Sequence, residues 1–197
     1  MTASVNQSVV SQTGSVALTG VISGDPLIVQ CFFDYPPSDD FATPYTWVNL
    51  VNESLLRVWL GTGGSGTSGT VTMSGAPNGT TVAAIELAGT VAGSGTAILD
   101  TYVAGTSATP SAADDLMILL LGAQHGVTAV SISTPTEVLY ATDYVLGYAS
   151  FIAWASSSPL PPGTPVTVTY NGFGGIVSTL FAFVLSGLVS SPIVLIL

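Results

Sequence analysis

The chain carries one pattern twice, and this internal repeat is the strongest constraint on its fold. The first copy contains, in order, Asp25 before an apolar run, Thr43-Pro44, Trp59, residues 70–75 and residues 84–89. The second copy contains Asp115, Thr134-Pro135, Trp154, residues 167–172 and residues 182–187 in the same order. The offset grows slowly, from 90 (115 − 25) to 98 (187 − 89). Five landmarks in one order predict two related structural units.

Alternation of period two predicts that both units consist of β-strands. Thr70-Val71-Thr72-Met73 and Val166-Thr167-Val168-Thr169 place hydroxyl groups on one face and apolar groups on the other, as half-buried strands do. Residues 27–33, apart from Gln30, and residues 116–121 are apolar runs, typical of strands buried on both faces. Turns rich in Gly, Pro and Asn separate these segments. The sequence therefore predicts an all-β fold with about six strands in each half.

Two architectures fit this pattern. The halves can interleave into one jelly-roll-type β-sandwich, or each can close as a tandem sandwich of immunoglobulin size. The short connection favours the single interleaved body. The expected boundaries are an N-terminal arm at 1–13, a first β repeat at 14–92, a connecting segment at 93–105, a second β repeat at 106–189 and an apolar tail at 190–197.

The uncharged stretch 176–197 has the length of a membrane span. Ser, Thr, Gly and Pro interrupt it, and no Lys or Arg flanks it. The repeat makes residues 176–187 the counterpart of residues 81–89, which favours a buried strand. No membrane partner is therefore expected.

Positive charge is nearly missing: the 197 residues include one Arg, no Lys and eleven Asp and Glu, for a net charge of −10. Such a chain cannot neutralise a row of phosphates, which argues against nucleic acid and anionic membranes as partners. Only 6% of the residues are charged. Because charge of both signs normally keeps monomers apart, we expect a homo-oligomer whose surface is largely covered by partners.

Few side chains could support catalysis. His125 lies in a glycine-flanked segment with no orienting carboxylate, and Cys31 lies in an apolar run that predicts a buried thiol. One His and one Cys cannot build a zinc site alone. The G-x-G-x-x-G match at residues 61–66 precedes a strand rather than a helix, which predicts a hairpin loop. The expectation is a non-enzymatic protein without a catalytic residue or an organic cofactor.

Two ligand-binding hypotheses remain. Asp39 and Asp40 follow Pro36-Pro37 and could supply loop oxygens to Ca²⁺, although adjacent carboxylates are commonly solvated turn residues. Tyr45 or Trp47 could form a stacking platform for a carbohydrate or receptor, with the loops 34–45 and 122–127 around it.

Arg57 and Glu86 are charges found in only one copy, since the landmarks assign Ile152 and Val184 as their counterparts. This pattern predicts a partly buried ion pair between Arg57 and Glu86, with Glu53 as the other candidate partner.

The segments 24–29, 46–48, 71–74 and 83–89, repeated in the second half, resemble the β-sandwich virion proteins of tailed phages. The resemblance covers most of residues 14–189, and it carries no functional residue across. It implies a capsid decoration protein or minor capsid subunit, often trimeric, on the outer capsid surface of the virion. Its partners would be the major capsid protein or other virion subunits. The alternative is a carbohydrate- or receptor-binding module of a phage or secreted adhesin.

Overall fold

The computed structural model describes residues 3–31, 34–53, 56–77, 80–91, 93–110, 116–124, 127–133, 136–143, 149–156, 162–163, 165–172 and 177–185. These residues form sixteen β-strands and one short 3₁₀ helix, η1. The strands of the first half are β1 (Ser4–Ser11), β2 (Ser15–Thr19), β3 (Leu27–Cys31), β4 (Pro37–Asp39), β5 (Thr46–Glu53), β6 (Leu56–Thr62), β7 (Ser68–Met73) and β8 (Val82–Ala88). After η1 (Gly95–Ile98) come β9 (Leu99–Ala104), β10 (Ser107–Ala108), β11 (Leu116–Gln124), β12 (Val127–Ile132), β13 (Thr136–Asp143), β14 (Ala149–Ser156), β15 (Val166–Gly172) and β16 (Val177–Val184).

The two halves have the same topology. The first contains a five-stranded sheet in the order β1-β8-β3-β6-β5 and a three-stranded sheet in the order β2-β7-β4. The second contains β9-β16-β11-β14-β13 and β10-β15-β12, which is the first order with eight added to each strand number. All described strand pairs are antiparallel and join strands of the same half. The all-β sandwich prediction is confirmed, and each half keeps its own two sheets.

Strand register aligns the two copies residue by residue. Trp59 lies opposite Val29, and Trp154 lies opposite Leu119. The same alignment makes Leu27 equivalent to Met117, whose neighbours on β8 and β16 are Glu86 and Phe183. The structural counterpart of Glu86 is therefore Phe183, and the assignment of Val184 from the sequence is wrong by one residue.

Every edge strand of the two five-stranded sheets carries a β-bulge. The register shifts leave one extra residue on β1, β5, β9 and β13, namely Asn6, Leu50, Asp100 and Leu139. The bulges lie at equivalent positions in the two halves. Natural sheets often protect their edges with Lys or with bulges. A chain without Lys has only the second of these devices.

The two five-stranded sheets pack against each other through a shared core. Its fully buried members include Ile28, Val58 and Ile85 from the first half and Ile118 and Leu120 from the second. β1 contacts β13, and β5 contacts η1, which leads into β9. Because β9 and β13 are the counterparts of β1 and β5, an approximate two-fold axis relates the halves. The body has four layers, with the three-stranded sheets outside.

A second core fills the space between the two sheets of the first half. It includes Val16, Leu18, Leu27, Val29 and Met73. Since Ile28 faces the shared core while its neighbours Leu27 and Val29 face this one, β3 is buried on both faces. That burial is the reason that its residues, apart from Gln30, are apolar.

Two boundaries differ from the sequence expectation. The predicted N-terminal arm contains β1, which pairs with β8 from Ser4 to Ser11. The predicted connecting segment contains β9, which pairs with β16 and so belongs to the second half. The predicted strand near residue 180 is confirmed as β16, whose residues 178–184 are buried. No helix in the described ranges is long and apolar enough to cross a membrane. The tail 190–197 lies outside the described residues.

The shared core predicts that the halves unfold together. Leu120→Ala, at a fully buried position of the second half, should cost about 2–5 kcal/mol of unfolding free energy. The measurement is urea unfolding, followed both by circular dichroism and by reaction of the buried first-half thiol of Cys31. Both midpoints should fall together, whereas Thr167→Ala on an exposed face should leave them unchanged. An unchanged Cys31 midpoint in Leu120→Ala would contradict coupling between the halves.

Candidate functional site

Four of the residues singled out by sequence, Asp39, Tyr45, Trp47 and Glu86, lie in one region of the first half. Trp47, Gly61, Leu27, Glu86 and Gln7 lie side by side across β5, β6, β3, β8 and β1. This row faces the β2-β7-β4 sheet, because Leu27 belongs to the core between the two sheets. The segment from β4 to β5 carries Asp39, Phe41 and Tyr45 to the same region. We call this group the aromatic–carboxylate cluster.

Three aromatic side chains of the cluster each lie on a glycine. A Cβ atom placed on Gly69 would come within 2.6 Å of the Phe41 ring, and one on Gly64 would come within 2.3 Å of a carbon of the Tyr45 ring. At Gly61 the corresponding distance to the Trp47 ring is 2.6 Å. Gly61, Gly64 and Gly69 therefore leave room for these three rings.

Asp39 and Asp40 bind N–H donors of the protein itself. Asp39 accepts hydrogen bonds from the Tyr45 backbone N–H at 3.1 Å and from Trp47 Nε1 at 2.9 Å. Asp40 accepts from the Thr70 backbone N–H at 2.6 Å. The two carboxylates thus point at different donors rather than at one common point. This geometry gives the calcium hypothesis no support, and it assigns Asp39 to fixing the start of β5.

Tyr45 is built into the core and is not an exposed stacking platform. Its side chain is 5% exposed, its ring packs on Gly64, and its hydroxyl donates a hydrogen bond to the Asp25 carbonyl at 3.1 Å. Tyr45 also contacts Phe41 edge-to-face, with ring centroids 5.2 Å apart. The stacking prediction is therefore wrong for Tyr45. Trp47 is half-buried, with Gly61 beneath its ring.

Glu86 is a fully buried carboxylate that is held by neutral donors. Asn6 Nδ2 donates to it at 2.9 Å, Gln7 Nε2 at 2.5 Å and the Ile22 backbone N–H at 2.7 Å. The bulge in β1 brings two consecutive side chains, Asn6 and Gln7, to this one acceptor. A buried charge needs such hydrogen bonds because it has lost its hydration. Glu86 thereby fixes β1 to the sheet.

The predicted ion pair between Arg57 and Glu86 does not form. Arg57 lies opposite Cys31 and Glu86 lies opposite Leu27, so the two are four residues apart along β3, about 13 Å. Arg57 Nε instead lies 3.8 Å from Asp34 Oδ1, and neither Glu86 nor Glu53 is its partner. The Asp34 side chain is 65% exposed. An ion pair so open to solvent contributes little to stability.

Three groups of the first half, Cys31, Tyr45 and Asp25, have raised pKa values. Burial raises the pKa of the Cys31 thiol to about 12. Burial, followed by the charges of Glu86, Asp39 and Asp25, raises the pKa of Tyr45 to about 12. Burial and the Glu86 carboxylate also raise the pKa of Asp25. A nucleophile needs the opposite shift, so this geometry offers neither an activated thiolate nor a phenolate.

Sequence reasoning missed the partners of Glu86. Asn6 and Gln7 belong to the segment that the sequence predicts to be an N-terminal arm. Only the pairing of β1 with β8 shows that they lie beside Glu86. The bulge at Asn6 interrupts the period-two alternation of residues 4–9. The sequence pattern therefore does not indicate a strand there. His125 lies outside the described residues.

No group of three or more His, Cys, Asp or Glu side chains among the described residues could hold a metal ion. Comparison of the chain with protein-family models, with curated proteins and with solved structures finds no match.

The close packing of Tyr45 on Gly64 predicts that alanine destabilises the protein more at position 64 than at position 63. Gly64→Ala would drive a methyl group into the Tyr45 ring and should cost more than about 2 kcal/mol. At Gly63, where a Cβ meets no atom within 4 Å and φ is +75°, alanine should cost only the backbone strain of about 1–2 kcal/mol. Thermal unfolding of both variants provides the comparison. Equal losses would show that the ring does not restrict Gly64.

Because the pKa of Asp25 is raised, replacing its carboxyl group with a neutral amide should stabilise the protein in a pH-dependent way. The folded state holds the Asp25 proton at pH values where the unfolded chain has lost it, so stability falls as the pH rises above the ordinary value of 3.8. Asp25→Asn should therefore raise Tm at pH 7, and the gain should disappear near pH 3. Asp34→Asn, at an exposed position, is the control and should show no gain. A Tm difference independent of pH would refute this origin.

Proposed function

We propose that the protein is a non-enzymatic structural subunit of a virion, a capsid decoration protein or minor capsid subunit. It binds the outer surface of a shell formed by the major capsid protein or other virion subunits. It associates with copies of itself, and a trimer is the favoured oligomer. The proposal rests on the four-layer body, its outer faces and the position of its single Arg, together with the resemblance stated above.

The observation that carries the proposal is the chemistry of the outer sheet faces. On β7, Val71 and Met73 point inward, while Ser68 and Thr72 are exposed. Ser15 and Ser38 flank Thr72 on β2 and β4. The second half repeats the pattern: exposed Thr167 lies opposite Ser107, and exposed Thr169 lies opposite Ser131.

Hydroxyl-rich faces with so little charge are poorly protected against association. Among the described residues of these faces, Asp40 contributes the one charge, and it accepts a bond from the Thr70 N–H. Two such faces lie on opposite sides of one body. That arrangement suits a subunit that contacts a shell or neighbouring copies over a broad surface.

The edges and the charge distribution support the same role. Bulges on β1, β5, β9 and β13 oppose strand addition, so association through faces is favoured over growth of a continuous sheet. The Arg57 side chain is only 13% exposed, which leaves the exterior acidic. An acidic exterior suits the outside of a capsid better than contact with packaged nucleic acid.

Association through the outer faces predicts oligomers that an added charge disrupts. In size-exclusion chromatography with light scattering, the protein should run as an oligomer, and Thr72→Lys should shift it toward monomer without lowering Tm. Ser94→Lys, at an exposed position outside both faces whose side chain makes no cap hydrogen bond, should leave the oligomer intact. Antibody against the chain should label the outside of intact virions.

A monodisperse monomer at all concentrations would contradict self-association. Labelling of disrupted particles alone would contradict the outer-surface location.

A further inference from the structure

A side-chain amide lies in the shared core between the two halves. Gln30 is 1% exposed on β3, and directly opposite it are Val58 on β6 and Ala83 on β8. Ile28, two residues earlier on the same face, belongs to the shared core. The Gln30 amide therefore points into the apolar layer between the two five-stranded sheets.

Three polar atoms in this layer lack a protein partner. Within the part of the chain that the structure describes, Gln30 Oε1, Gln30 Nε2 and Thr81 Oγ1 are buried and make no hydrogen bond. Thr81 is fully buried. Leaving an amide and a hydroxyl without partners in an apolar layer is costly, and native proteins commonly satisfy such groups with ordered water.

The two side chains are close enough to share a ligand. Thr81 lies two residues before Ala83, the residue opposite Gln30, so Gln30 and Thr81 are diagonal neighbours on adjacent strands. Diagonal positions are about 7–8 Å apart, within reach of a long side chain. One water molecule can span the remaining gap.

The repeat shows that the fold does not require an amide at this position. The alignment that equates Val29 with Leu119 makes Leu120 the counterpart of Gln30, and Leu120 is fully buried in the same core. The counterpart of Thr81 is Ser178, which is 3% exposed.

We propose that Gln30 and Thr81 bind at least one internal water molecule between the two halves. Gln30 Oε1 can accept a hydrogen bond from this water, and the Thr81 hydroxyl can donate one to it. Gln30 Nε2 can donate a third hydrogen bond to the water. Buried waters in proteins typically make about three hydrogen bonds. Because strands cover Gln30 on both sides, the water leaves only when the sheets separate locally.

Water ¹⁷O and ²H magnetic relaxation dispersion on the full chain tests the proposal, since its amplitude counts long-lived internal waters. Gln30→Leu, which installs the counterpart residue, should lower the amplitude by the equivalent of at least one water. The double variant Gln30→Leu with Thr81→Val should lower the dispersion amplitude by at least as much as Gln30→Leu alone. Leu120→Met, a volume-conserving change at the counterpart position, is the control and should leave the amplitude unchanged.

A crystal structure of the unmodified protein gives an independent readout that does not depend on the variants folding. Density within hydrogen-bond distance of Gln30 and Thr81 is expected. An unchanged dispersion amplitude in Gln30→Leu, or a crystal structure in which protein groups satisfy the amide, would overturn the proposal.

Discussion

The structure depends on one interface, the apolar contact between the two five-stranded sheets. Each of these sheets is covered on its other face by a three-stranded sheet, so strands such as β3 and β11 are buried on both sides. Neither half could expose this face to water without presenting a row of Leu, Ile and Val side chains. The two copies therefore behave as a permanent internal dimer, and the approximate two-fold symmetry follows from placing the same face against itself.

A chain with a single Arg must satisfy its buried Glu86 and its half-buried Asp39 without cations. Glu86 does so with two amides and a backbone N–H, and Asp39 does so with a backbone N–H and an indole. Each carboxylate also connects distant segments: Glu86 ties β1 and the Ile22 turn to β8, and Asp39 ties β4 to β5. The carboxylates that suggested a site by sequence are structural, and their donors are the groups that sequence reasoning did not anticipate.

The same scarcity of charge links the architecture to the proposed role. Edges are protected by bulges instead of Lys, and the outer faces carry hydroxyl groups instead of ion pairs. A surface of this kind suits permanent contacts in an assembly, where neighbouring subunits cover it. The carbohydrate-binding alternative can no longer use Tyr45 as a stacking platform, because Tyr45 is buried.

The sequence alone determined the all-β class, the two copies and the buried strands, because each leaves a local or periodic signal: alternation in β7 and β15, and apolar runs in β3 and β11. Tertiary structure decided what depends on which segments meet. It placed the predicted arm in a sheet, paired Arg57 with Asp34 instead of Glu86, and moved the counterpart of Glu86 to Phe183. A shift of one residue in register exchanges the two faces of a strand. Such a shift changes contacts without changing composition or periodicity enough to be recognised in one sequence.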